Sequence, residues 1–223
     1  MESIHTHFIR IQEQITQAEK ESSRPPHAVR LMAASKQQPI DIIEEAINAG
    51  MNLFGENKVQ EAQAKWPALK EKHPHIQCHL IGHLQSNKCD EAVALFDCIH
   101  SLDSIKLAEC LKKSMTKQNK EVPCFIQVNI GEEPQKDGVL PAELPALMQA
   151  CQALALPIIG LMCIPPENEH PDLYFALLKK LADRYQLNQL SMGMSHDFNT
   201  AIRFGATIIR VGTALFGKRE TLV

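Results

Sequence analysis

The chain has 223 residues, of which 44% are hydrophobic and 22% charged, as in a folded protein of one large or two small domains. A net charge of −3 and 5% aromatic residues argue against a nucleic-acid-binding surface or one that binds anionic membranes. The seven cysteines form no CxxC pair, which predicts small core thiols in a reducing compartment. No apolar run resembles a signal peptide or a membrane span, so we expect a cytoplasmic protein.

An N-terminal helix with its lead-in occupies residues 1–28, and short apolar strands then alternate with helical segments. The predicted strands are 30–36, 53–57, 79–85, 98–103, 124–130, 158–164, 190–195 and 208–217. The predicted helices between them are 40–50, 58–72, 86–96, 104–115, 143–154, 172–185 and 197–205. Gly50 is placed to terminate the first of these helices.

One helix after each strand is typical of a parallel sheet, and the nearly continuous apolar strands indicate burial on both faces. Eight such units predict a closed (β/α)8 TIM barrel, with a doubly wound open sheet as the alternative. No linker interrupts residues 1–223, so we expect a single domain.

In a (β/α)8 barrel the functional groups lie at the carboxyl ends of the strands. Ser195 follows the seventh strand and precedes a helix, and Gly212 and Thr213 follow the apolar part of the eighth. Free N–H groups, a hydroxyl and a missing side chain at this position favour a phosphate site. The alternative is a simple helix cap at Ser195 and a tight turn at Gly212.

Lys36 ends the first strand, and Arg210 lies within the apolar run of the eighth. A lone lysine there could simply mark the strand's exit to solvent. A desolvated lysine near another cation is, however, a nucleophile toward carbonyl groups. An aldehyde that carries a phosphate would engage both Lys36 and the phosphate site, and pyridoxal 5′-phosphate (PLP) is such a compound. An enzyme acting on a sugar phosphate through Lys36 is a further possibility.

Several longer motifs resemble those of the pyridoxal phosphate homeostasis proteins. They include "ASK" (34–36), "FGENKVQEA" (54–62), "HLIGHLQSNK" (79–88), "GLMCIPP" (160–166), "SMGMSHDFNTAI" (191–202) and "IRVGTALFGKR" (209–219). The resemblance runs in order from near residue 30 to the end. It implies a barrel like the N-terminal domain of alanine racemase.

The resemblance also implies roles for seven cofactor-binding residues. Lys36 would form a Schiff base with PLP, and Arg210 would face the pyridine nitrogen. Ser195, Gly212 and Thr213 would hold the phosphate. Asn57 and His83 would line the pocket.

The resemblance implies a carrier or regulator in vitamin B6 homeostasis, without a dedicated catalytic activity and with no catalytic residue. A permanently charged Arg210 would disfavour a protonated pyridine and weaken the electron sink that PLP enzymes need. The alternative is an amino-acid racemase, which would need a second base opposite Lys36. Both tyrosines, Tyr174 and Tyr185, fall in one predicted outer helix, and we expect no second domain to provide that base.

The segment 73–83 contains four histidines and Cys78 and raises the question of a metal. Alternation along a strand would place these side chains on both faces, so we expect no metal site. The expected partners are PLP and, as candidate recipients, apo-forms of PLP enzymes, with no nucleic acid or membrane. We expect a monomer.

Overall fold

Eight parallel strands close into a barrel in the computed structural model, which describes residues 2–217. Each strand pairs with the next one in the chain, and the first pairs with the last through Leu31–Ile209 and Met32–Arg210. The predicted (β/α)8 barrel with an extra N-terminal helix is confirmed, and the open sheet is wrong because the first and last strands are hydrogen-bonded to each other.

The elements follow the predicted order. The strands are β1 (Arg30–Ala34), β2 (Leu53–Glu56), β3 (Gln77–Leu80), β4 (Cys98–Leu102), β5 (Cys124–Val128), β6 (Ile158–Cys163), β7 (Gln189–Ser191) and β8 (Ile208–Val211). The α-helices are α1 (Ile4–Glu21), α2 (Ile40–Asn48), α3 (Val59–Lys72), α4 (Cys89–Leu95), α5 (Ile105–Gln118), α6 (Leu144–Ala153), α7 (Asp172–Arg184), α8 (Phe198–Arg203) and α9 (Thr213–Phe216). A 3₁₀ turn at Ser86–Lys88 precedes α4.

The N-terminal helix α1 is fastened to the barrel rather than free. The Ser3 hydroxyl caps its first turn by accepting from the Thr6 N–H at 3.2 Å. Ile11 and Ile15 are buried in the core, and α1 packs against α8 and α9. The helix therefore covers the side of the barrel that carries β8.

Every predicted strand runs past its observed end, five of them by one or two residues and the third, seventh and eighth by four to six. The third and the eighth differ most. The third ends at Leu80 because the chain then turns at Gly82, where a Cβ would lie 2.3 Å from the Asn57 carbonyl oxygen. The eighth ends at Val211, and the next residues form the short helix α9 with Gly212 at its N-terminus. Both differences lie at the carboxyl end of the barrel and therefore affect the site.

The interior of the barrel is apolar in part and polar in part. Six strands contribute one side chain each to a buried apolar cluster: Met32, Leu53, Cys98, Phe125, Met162 and Ile208. A larger apolar layer lies between the sheet and the helices. All seven cysteines are free thiols, and six are buried. None of the helices within residues 2–217 has the length and hydropathy needed to span a bilayer.

Candidate functional site

A cavity of about 250 Å³ opens at the carboxyl ends of β1, β2 and β6–β8. Its size is slightly below the usual range for small-molecule sites, so it suits a small ligand. Six of the seven residues predicted to bind a cofactor line it: Lys36, Asn57, Ser195, Arg210, Gly212 and Thr213. Lys36 and Arg210 line this cavity, and none of its described lining residues carries a carboxylate. The cavity therefore favours an anionic ligand.

Lys36 lies in the loop that follows β1, and this loop is held from outside the barrel by helix α3. The Lys65 ammonium donates to the carbonyl oxygens of Ser35 at 3.4 Å and Gln38 at 3.3 Å. The Glu61 carboxylate accepts from the backbone N–H of Gln37, a residue with a φ of 60°. Both backbone ends of the loop are therefore attached to one helix, which limits how far Lys36 can move.

Glu56 joins this loop to the sheet. One of its carboxylate oxygens, Oε1, accepts from the Ser35 hydroxyl at 2.8 Å, the Lys65 ammonium at 2.9 Å and the Trp66 indole N–H at 3.1 Å. Its side chain is fully buried, which makes the charge costly without these donors. We call Glu56, Glu61 and Lys65 the ionic clamp.

The opposite wall of the cavity is built from the ends of β7 and β8. The Ser195 hydroxyl accepts from the Ala214 N–H at 3.3 Å and so links the two loops. Within residues 2–217 the backbone N–H groups of Ser195, His196 and Thr213 have no protein acceptor. Free N–H groups of residues that line one cavity can bind an oxyanion there.

Gly212 leaves space in this wall. Its φ of −112° is accessible to any residue, and a Cβ there would make only ordinary contacts, 3.5 Å from the Ala34 carbonyl oxygen. Neither the backbone conformation nor packing requires a glycine at this position. The missing side chain keeps the cavity open beside the free N–H groups.

Arg210 lies two residues before Gly212 on the same face of β8, and only 5% of its surface is exposed. Its guanidinium donates to the Ser191 hydroxyl at 2.8 Å and to the Cys163 carbonyl oxygen at 2.9 Å. Burial lowers its pKa from the ordinary value, but an arginine stays charged at neutral pH. No carboxylate in the described part of the chain forms a salt bridge with it.

His83 is the one predicted residue that does not line the cavity. It lies in a neighbouring depression, which it shares with Asn57, and its side chain is 51% exposed. Its Nδ1 is 3.4 Å from Asp137. The turn at Gly82 removes His83 from the inward alternation of β3, and Ile81 lines the cavity instead.

Sequence reasoning did not single out His196, which also lines the cavity and stands 3.6 Å from Asp197. Its position directly after Ser195 could have indicated that it lines the same cavity. The support given by the ionic clamp was also not foreseen, because its members lie on β2 and α3 rather than in the cavity wall.

The histidine-rich segment is dispersed, as alternation requires. Cys78 packs in the outer apolar layer, whereas His79 points into the barrel toward His100. His79 and His100 form a close group with Cys98, and His83 forms another with Asp103 and Asp137. These groups combine residues from different strands and loops, which spacing within one segment does not reveal.

The chain resembles known proteins over nearly its whole length. The family model for the N-terminal domain of alanine racemase matches residues 8–220. A pyridoxal phosphate homeostasis protein of Aquifex aeolicus is 41% identical, over 95% of this chain and 96% of the relative. This chain therefore belongs to the pyridoxal phosphate homeostasis proteins, within the alanine racemase N-terminal domain family.

Two solved structures place this membership in context. PipY of Synechococcus elongatus, in its structure with PLP bound, is 41% identical over 93% of this chain and 100% of its own, with a TM-score of 0.77. Alanine racemase of Bartonella henselae, with covalently bound pyridoxal phosphate, is 18% identical, covers 94% of this chain and 61% of its own, and has a TM-score of 0.67. The second likeness shows the shared barrel fold alone.

Proposed function

We propose that this protein binds PLP in the cavity at the carboxyl end of the barrel, as a Schiff base on Lys36. It would act in intracellular PLP homeostasis as a carrier or regulator, without a dedicated catalytic activity. The relative from Aquifex aeolicus is named for that homeostasis, and the structure of PipY holds PLP.

One observation of this structure carries the proposal. A single small cavity combines a lysine, free backbone N–H groups with a serine hydroxyl, and a buried arginine, with no carboxylate among its described lining residues. An aldehyde condenses with a lysine amine and releases water, and a phosphate binds free N–H groups and hydroxyls. PLP carries both groups on one ring.

The residues present fit this cofactor. Ser195, Gly212 and Thr213 would hold the phosphate, since free N–H groups and an open wall occur together there. Arg210 would lie beside the ring, and Asn57 would line the opposite side. We do not assign His83 to the cofactor, because it lies outside the cavity.

Bound PLP would supply an electron-accepting ring, whose strength depends on protonation of the pyridine nitrogen. Arg210 argues against strong activation, because a guanidinium disfavours a second positive charge beside it. A carboxylate would do the reverse. These residues are therefore suited to holding the cofactor rather than to stabilising a carbanion.

Racemisation is the second candidate, because the barrel matches that of alanine racemase. It requires two bases that face each other across the substrate. Among the described cavity residues only Lys36 and His196 have side chains of a type that serves as a base in catalysis, and the His196 side chain is 64% exposed. Tyr174 lies on α7 and Tyr185 just after it, and neither lines the cavity.

We further propose that residues 1–223 form one PLP-binding domain, with α1 packed on the barrel. Transfer of PLP to apo-forms of PLP enzymes, the monomeric state and the cytoplasmic location stay predictions.

The test is to add PLP to the wild-type protein, to Lys36→Ala and to Lys106→Ala, an exposed lysine on α5. We expect a visible Schiff-base absorbance band in the wild type and in Lys106→Ala, and its loss in Lys36→Ala. Borohydride reduction followed by peptide mass spectrometry should place the pyridoxyl group on Lys36. A label on another lysine, or no band in the wild type, would reject the proposal, and alanine racemisation by the loaded protein would reject the carrier assignment.

A further inference from the structure

A line of hydrogen bonds crosses the interior of the barrel behind Arg210. The Arg210 guanidinium donates to the Ser191 hydroxyl at 2.8 Å, and that hydroxyl lies 2.9 Å from Nδ1 of His100. Nε2 of His100 lies 3.0 Å from Nδ1 of His79. Strands β4 and β7 are not neighbours in the sheet, so the contact between His100 and Ser191 spans the interior. We call these four residues the interior chain.

The direction of the interior chain follows from hydrogen-bond accounting. A guanidinium only donates, so the Ser191 oxygen accepts from Arg210. The single hydroxyl hydrogen of Ser191 must then go to Nδ1 of His100, its only other partner in the described part of the chain. His100 therefore carries its hydrogen on Nε2 and donates it to Nδ1 of His79.

The opposite direction is unfavourable. If Nδ1 of His100 donated to Ser191, the hydroxyl hydrogen would have no acceptor among residues 2–217. Ser191 is fully buried, and an unsatisfied buried donor costs about 1–3 kcal/mol. This arrangement of hydrogens therefore satisfies the Ser191 hydroxyl and both ring nitrogens of His100.

The interior chain is neutral apart from Arg210. Burial lowers the pKa of His79 to about 3. Burial also lowers the pKa of His100, and repulsion by the Arg210 charge adds to that effect. The ring of His100 is also stacked on Phe125, with centroids 4.2 Å apart, which fixes its plane. The arginine charge is thus held by dipoles and not offset by an anion.

We propose that His100 is a positioning residue for Arg210. The unprotonated Nδ1 of His100 orients the Ser191 hydroxyl, which in turn holds the guanidinium at the cavity. His79 selects the required tautomer of His100 by accepting from its Nε2–H. The role in ligand binding rests on the proposed PLP site, whereas the arrangement of hydrogens does not.

A metal ion is the competing explanation. His79, Cys98 and His100 each offer a ligand atom, and these atoms lie within 4.8 Å of one another. We favour the hydrogen-bonded arrangement, because the two nitrogens that would bind the metal already face each other at 3.0 Å. Burial also raises the pKa of the Cys98 thiol, which disfavours the thiolate that a metal requires.

The first experiment needs no ligand. Long-range ¹H–¹⁵N NMR spectra of histidine-labelled full-length protein, purified without chelators, report the tautomer of each ring, and elemental analysis reports bound zinc. We expect His100 and His79 to carry hydrogen on Nε2, with no stoichiometric metal. Hydrogen on Nδ1 of His100, or one zinc per chain, would overturn the proposal.

The second experiment separates positioning from packing. His100→Phe keeps a ring against Phe125 without an acceptor, His100→Asn restores an acceptor, and His75→Phe repeats the substitution at an exposed site. We expect PLP affinity to fall about tenfold in His100→Phe, the effect of about one hydrogen bond, and to recover in His100→Asn. The NMR signal of the Arg210 side chain should shift in His100→Phe alone.

The outcomes distinguish the two proposals. If the wild type binds no PLP, the proposed function fails, while the tautomers still decide the interior chain. If the wild type binds PLP and His100→Phe binds equally well, with an unchanged Arg210 signal, the positioning role is wrong. Should His100→Phe not fold, His100→Asn and the wild-type tautomers still provide the test.

Discussion

The two basic residues at the barrel mouth are supported in opposite ways. The loop that carries Lys36 is held by the ionic clamp, in which two carboxylates and an ammonium bind one another and the backbone. Arg210 is held by neutral groups, a hydroxyl and a carbonyl oxygen, with two neutral histidines behind them.

The comparison shows how a cavity can be kept positive. The carboxylates of the ionic clamp lie behind the strands, where both pair with Lys65, and not in the cavity wall. The neutral partners of Arg210 leave its charge uncompensated. Both supports therefore orient a basic group without placing an anion where a phosphate-bearing ligand would bind.

Breaking the ionic clamp should have the largest effect on stability. Lys65→Met keeps most of the apolar stem but leaves the fully buried Glu56 carboxylate without its cation. We expect a loss of about 3–5 kcal/mol in the free energy of unfolding, measured with urea, because the remaining charge is buried and unpaired.

Lys72→Met is the matched control, since its partner Glu44 lies at the surface and an exposed pair contributes about 1 kcal/mol or less. If both variants lose the same stability, the ionic clamp does not support the loop as proposed.

The neutral histidines behind Arg210 should be revealed by the dependence of stability on pH. The pKa of His79 is about 3 in the folded state and near 6.5 in the unfolded state. Between about pH 3 and pH 6.5 the unfolded state therefore binds a proton at His79 that the folded state does not bind. Stability should thus fall as the pH drops from about 6.5 toward 3, with His79 contributing about 1.4 kcal/mol per pH unit.

His79→Gln removes this titration but can still accept from His100, so its stability should fall less steeply with acid. The control is His5→Gln on the exposed face of α1, which should match the wild type. Equal slopes for wild type and His79→Gln would mean that His79 is protonated in the folded protein.

The smallest effect is expected at the residue outside the cavity. His83→Ala should change PLP affinity less than about twofold, because His83 faces Asp137 and not the cavity. Ser195→Ala should weaken binding about five- to tenfold through one lost hydrogen bond. Equilibrium titration of the two variants checks the contrast, and an equal loss in both would restore His83 to the site.

Most of the fold was predictable because its signals are local. Every strand begins within two residues of its predicted start, and Gly50 follows α2 with a φ of 107°, as a terminating glycine should. The ends of β3 and β8 were wrong because apolar residues continue past them. There a close approach of two backbones and a short helix decide the path, and neither has a local pattern.

The predicted site residues show the same division between features that have a local sequence signal and features that depend on tertiary contacts. Lys36, Ser195, Arg210, Gly212 and Thr213 line one cavity because parallel strands in a barrel bring their carboxyl ends together, whatever the distance along the chain. Their roles in binding PLP stay predictions. The pocket-lining role of His83 was implied by the family resemblance, and in the structure β3 ends three residues before it, at Leu80.

Apolar periodicity and strand ends are local properties, so the amino-acid sequence alone predicts the order of strands and helices and the basic and polar groups at one end of the barrel. The groups that support those residues become known only from tertiary contacts. The contacts of Glu56 with Lys65 and of His100 with Ser191 join separate elements, the second across 91 residues of chain. Such pairings depend on barrel closure and register, which place buried polar groups opposite the only partners that can satisfy them.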